Sequence, residues 1–185
     1  MIARMQHFAA FAIPLALALS GCEKPVEDRE RAAALQQTQA AIGAYSQASQ
    51  AANSLHSEVI GAFVKANQSP SLPDYRDAMK RDVLPAMDRF IERLQAMPAG
   101  TPDLEQIHGG LLSAYKDARS ELAAYAESLE TAKDLARFGP IRERLQQRVA
   151  AYRSDLDAYY RRHNRQLRLE AGAAGAPGAA TPTAP

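Results

Sequence analysis

The chain has a single cysteine and no tryptophan among its 185 residues. One cysteine excludes a disulfide within the chain. Without tryptophan, stacking against sugar rings loses its usual platform. Strand signals are nearly absent too, because Val, Ile, Thr and the aromatics never gather in alternating runs. Motifs of local chemistry are also missing: no G-x-S-x-G, no glycine-rich phosphate loop, no H-E-x-x-H and no C-x-x-C-H. No residue is therefore assigned a catalytic role, and no metal or haem is expected. Long apolar runs are scarce. The longest, FAAFAIPLALAL from Phe8 to Leu19, falls short of the roughly 20 residues a membrane span needs.

That short run explains the cysteine. Arg4 precedes it and small residues follow it, the order of a secretory signal. The run ends in Leu19-Ser20-Gly21-Cys22, which resembles the lipobox of bacterial lipoproteins. The resemblance covers residues 1–22 only and implies three things. Residues 1–21 are a leader cut away before Cys22. The Cys22 sulfur carries a diacylglycerol and its new amine an acyl chain. Glu23, standing where an aspartate is the usual inner-membrane retention signal, favours the periplasmic face of the outer membrane. Each buried CH2 contributes about 0.8 kcal/mol and two chains already hold a protein at a bilayer, so three anchor it firmly. The cysteine reads as an attachment point.

Without the leader the chain has equal numbers of acidic and basic residues, which gives nothing for nucleic acid to recognise. The end, AGAAGAPGAATPTAP from Ala171, contains only Ala, Gly, Pro and Thr. It buries too little apolar surface to offset its ordering entropy and reads as a disordered tail, 171–185. Residues 22–30 read as a lipidated tether and 31–170 as one helical domain.

Ala, Leu, Arg, Glu and Gln dominate that domain and favour helix. Four segments show spacings of three and four. In the first, Val26 to Ala66, two heptad rows appear: Leu35, Ile42, Ser49, His56, Phe63 and Thr38, Tyr45, Ala52, Val59, Ala66. The second, Asp74 to Met97, contains Pro85 and is expected to kink there. The third opens on a Thr101 N-cap with Pro102 in the first turn and is expected to run to about Arg137. Gly139 is expected as its C-cap, with Pro140 starting a fourth helix to about Leu169. The fold class is all-α: an antiparallel, up-down four-helix bundle with a kinked second helix.

Candidate site residues are few. Helix heights at 1.5 Å per residue put Tyr45, Tyr115 and Tyr159 near one level, a candidate ligand pocket between helices. The same arithmetic scatters His56, His108 and His163 too widely for a metal centre and reads them as boundary residues facing water. Arg161, Arg165 and Arg168 form a stripe near the anchored end, suited to anionic headgroups or peptidoglycan carboxylates. The fourth helix carries an excess of arginine and the third an excess of acid, so the two are expected to pair along their rims. The resulting expectation is a lipid-anchored, non-enzymatic bundle that binds an envelope component. The alternative is a small-ligand or metal-binding bundle using a Tyr/His-lined pocket.

Overall fold

The structure, a computed structural model, describes the backbone of residues 24–174 and the side chains of residues 26–164. The leader, Cys22 and residues 175–185 of the tail lie outside the described residues, as do the side chains of Arg165 and Arg168. The described chain is helical nearly throughout. Helix α1 spans Lys24–Asn67, α2 Leu72–Ala78, α3 Leu84–Gln95, α4 Pro102–Glu127 and α5 Phe138–Ala174.

The two heptad rows of α1 differ in depth. Tyr45, Ala52, Val59 and Ala66 are buried, while Leu35, Ile42, Ser49, His56 and Phe63 are half-buried. Small residues in the buried row let neighbouring backbones approach closely. Residues 26–34 are exposed on every side, and the first buried residue is Ala41. The seven residues 24–30 expected as tether are thus already helical. Lys24 to Ala40 make a rod of about 25 Å ahead of the core.

The second rod starts at Leu72, two residues earlier than the spacing suggests. The Ser71 hydroxyl accepts the Asp74 amide at 3.3 Å and Pro73 suits the first turn. Its irregularity is also displaced. A π-helical turn, Met79–Val83, precedes Pro85, and the Leu84 N–H donates to the Met79 carbonyl five residues back. A proline ring clashes with the carbonyl four residues before it, and the wider turn relieves that clash. Apolar phase survives across it: Tyr75, Met79, Val83, Met87, Phe90 and Leu94 are all buried.

The Thr101 hydroxyl accepts the Leu104 amide at 3.3 Å, which caps α4 as expected. Gly109 and Gly110 lie within the helix without interrupting it. Its far end is a correction. The helix stops at Glu127, not near Arg137, although Leu129 is buried in phase. Thr131 and Asp134 form a competing cap, with the Asp134 carboxylate accepting the Glu130 and Thr131 amides at 3.1 and 2.8 Å. Arg137 donates to the Ser128 carbonyl at 2.7 Å and closes a 3-10 turn, Ala132–Arg137. Helix α5 follows at once, so Gly139 lies in its first turn and is no C-cap. It also runs to Ala174, four residues into the segment read as tail.

Helix α4 packs along α5 on one side and α3 on the other, and α1 packs on the second rod. The opposite charges of α4 and α5 pair at their rim, as expected: Arg144 with Glu121, Arg148 with Asp117, and Arg162 with Asp103 at 3.3 Å. Such exposed pairs contribute about 0–1 kcal/mol each and act mainly to fix which helices are neighbours. The fourth seam, between α1 and α5, is the least closed of the bundle.

Candidate functional site

The open seam is bounded by two contacts. At one end the rings of Phe63 and Phe138 lie 5.6 Å apart. At the other the Tyr45 and Tyr152 hydroxyls are hydrogen-bonded at 2.9 Å. Between them a groove runs along α1 with its floor on α3 and α4.

Two cavities form this groove and share His56 and Tyr115 as a common wall. The larger, about 310 Å3, is lined mainly by apolar side chains, among them Val59, Ile60, Phe63, Val64, Leu122 and Leu145. Ile60 and Val64, one helical turn apart, are half exposed at 50% and 52%, an unusual state for large aliphatics on a core helix. The smaller, about 180 Å3, adds polar groups from Ser49, Asn53, Tyr152 and Arg153. Phe90 and Tyr115 meet edge to face at 4.8 Å on its floor, and His56 tilts against Phe90 at 5.3 Å.

The charged lining has one sign. Arg142 borders the larger cavity and Arg153 the smaller, and no Asp or Glu lines either. Among the described residues neither arginine has a carboxylate partner, whereas Arg144, Arg148, Arg161 and Arg162 of the same helix all do. Helix α5 thus satisfies its α4-facing arginines and leaves its groove-facing pair available. Burial lowers the pKa of His56, and the Arg153 charge lowers it further. Burial raises that of Tyr115, against a smaller opposing effect of Arg153.

The histidine shift has a testable sign. A folded-state pKa below the unfolded value near 6.5 means the unfolded chain takes up more protons. His56 then adds stability that is fully present above about pH 6.5 and is lost as pH falls through the lowered value. Between pH 7.5 and 5, wild type is expected to lose more stability than His56→Gln, as read from urea midpoints; equal losses would contradict this environment.

Tyr45, Tyr115 and Tyr159 do not share one layer, which corrects the sequence expectation. Tyr45 pairs with His108 and Tyr152. Tyr115 lies against Phe90 and His56 in the groove. Tyr159 bonds the Thr101 hydroxyl at 2.9 Å and its ring tilts against His163 at 4.4 Å. For Tyr115 the cause is the early end of α4. Ten residues of helix that do not exist displaced every α4 height by about 15 Å.

His108 is a second correction, since it faces no water. Its Nε2 lies 2.8 Å from the Leu94 carbonyl and its Nδ1 2.9 Å from the Tyr45 hydroxyl. A carbonyl only accepts, so Nε2 carries the proton; in the neutral ring Nδ1 then accepts from Tyr45, and Tyr152 donates to the Tyr45 oxygen. This buried chain joins α1, α3, α4 and α5 just where the groove closes. His56 is half-buried; His163 is half-buried too, but both its ring nitrogens are enclosed without a hydrogen-bond partner among the described residues, so it does not face water either. Among the described residues no three His, Cys, Asp or Glu side chains gather as a metal would require.

Arg161 is exposed and paired with Asp157 on its own helix. No described helix is long and apolar enough to cross a membrane. No protein-family model, curated protein or solved structure matches the chain.

Proposed function

We propose that the chain is a membrane-anchored periplasmic lipoprotein, a non-enzymatic helical bundle whose work is binding at the α1–α5 groove. The observation that carries the binding part is the groove itself: an apolar channel flanked by exposed Ile60 and Val64 and bordered by two arginines that have no carboxylate partner among the described residues. Support for the anchor comes from Leu19-Ser20-Gly21-Cys22 and the apolar run before it. The outer membrane and an envelope component, a protein or peptidoglycan, are the setting and partner that fit that leader. The absence of catalytic motifs agrees with a binding role, as does the engagement of both His108 nitrogens in the core.

A second reading, a small-ligand bundle, is favoured by one feature: Tyr115 and His56 stand in the wall between the two cavities. It differs from the first only in the size of what the groove holds. The anchor is tested by the mass of the N-terminal peptide of the natural protein. A peptide beginning at Cys22 and carrying acyl mass is expected, and Cys22→Ser is expected to leave the membrane fraction. An unmodified thiol on an intact leader would contradict the anchor.

A further inference from the structure

The two cavities of the groove differ in chemistry along one line. The smaller, about 180 Å3, has Arg153, Ser49 and Asn53 at its rim, with His56 beside them. The larger, about 310 Å3, begins on the other side of His56 and Tyr115 and is aliphatic and aromatic along most of its lining. One end is built like a site for a small anion, and the other like a site for a hydrocarbon chain. The His56 ring and Tyr115 share the wall between them, and no described carboxylate lines either cavity.

Size points the same way. An α-helix is about 10 Å across and occupies about 420 Å3 per turn, so the roughly three turns that would lie along the groove far exceed what the two cavities hold together. A partner helix would stand largely outside the groove. An unbranched alkyl chain is slim enough to lie within it. A carboxylate also suits a free guanidinium, which offers two parallel N–H donors to two oxygens.

Resting on the small-ligand reading of the groove, we propose that it takes a single-chain alkyl carboxylate. The carboxylate sits at Arg153, within reach of Ser49 and Asn53, and the chain runs past His56 and Tyr115 into the larger cavity. Arg142 stands about 16 Å further back along α5, eleven residues away, at the tail end of the ligand. The two arginines therefore have unequal roles, and that inequality separates an oriented site from general attraction to a basic surface.

The test is a calorimetric titration of the purified full chain with dodecanoate, octanoate and dodecyltrimethylammonium, each kept below its micelle concentration. Dodecanoate is expected to bind saturably, one per chain. Octanoate is expected to bind at least tenfold more weakly, since each fully buried CH2 is worth about fourfold in affinity. The cation is expected not to saturate. Arg153→Glu is expected to weaken dodecanoate at least tenfold, the size of a lost charge-assisted bond. Arg142→Glu is expected to change it less than threefold, and Ile60→Trp, which fills the mouth of the larger cavity, to weaken it tenfold. All three residues are exposed on the surface, and unchanged melting curves establish that the variants fold. Equal losses for the two arginine variants, equal binding of the cation, or no saturable binding of dodecanoate would each overturn the proposal. None of these would reach the broader binding reading, which is judged by what contacts the groove in cells.

Discussion

His108→Ala is expected to lower the unfolding free energy by about 3–5 kcal/mol, the range for deleting a large buried ring. Two costs combine. The ring is 7% exposed and its removal leaves a cavity beside Tyr45 and Leu94, themselves 0% and 2% exposed. The Leu94 carbonyl then loses its His108 donor at 2.8 Å but keeps the Met97 amide at 3.1 Å, so the lost bond adds only about 1 kcal/mol. Tyr45→Phe removes one hydroxyl and no ring, so a smaller loss of about 1–3 kcal/mol is expected. Because Tyr45, His108 and Tyr152 form one chain, the two losses should be non-additive. Urea unfolding of both single variants and the double variant measures this. A loss below about 1 kcal/mol for His108→Ala would mean that the chain does not hold the four helices together.

Gly100→Ala is the second large effect, expected at about 2 kcal/mol or more. Gly100 has φ +73° in the turn that leads to the Thr101 cap, a conformation that costs an L-residue about 1–2 kcal/mol. A Cβ there would also stand 2.8 Å from the Ala41 Cβ and 3.4 Å from its Cα. Neither Ala41 nor the turn is a flexible side-chain end, so the turn and α1 must part. Gly109→Ala makes the contrast. Gly109 is inside α4 with nothing within 4 Å of an added Cβ, and the change is expected to stabilise by about 0.5–1 kcal/mol. Opposite signs in urea midpoints would confirm that Gly100 is required by geometry. A neutral Gly100→Ala would show that this turn is free to move.

These two residues also mark the limit of what spacing reveals. The Thr101 cap, the buried row from Tyr45 to Ala66 and the α4–α5 charge pairing are all legible in the sequence, because each depends on neighbours along one helix or on bulk charge. The end of α4 is not. Apolar phase continues through Leu129, and the Thr131–Asp134 cap that stops the helix competes with it locally. Every height measured on α4 inherited that error of about 15 Å, so the Tyr45–His108 pair was invisible and a tyrosine layer stood in its place. Pro85 announces a disturbance but not its form, since a π-turn before the proline relieves the same clash as a kink at it.

The groove was hidden for a different reason. Periodicity tells which face of a helix is apolar and not which neighbour covers it. Val59, Phe63, Leu145 and Val149 look like core positions on α1 and α5, yet they border a channel. One signal was available: Ile60 and Val64 fall outside both heptad rows, and large aliphatics beside a seam widen the apolar stripe beyond what one neighbour needs. The unpaired arginines gave none, because only the structure separates Arg142 and Arg153 from the arginines that reach α4.

The most direct test of the groove as the working surface is photocrosslinking in intact cells. A photoreactive side chain is placed at Ile60 or Val149, which line the groove, and at Glu92 or Ser120, which are exposed elsewhere. If the groove is the working surface, adducts of defined mass form from positions 60 and 149 and none form from 92 and 120. Adducts from 92 or 120 alone, or equally from all four, would contradict it.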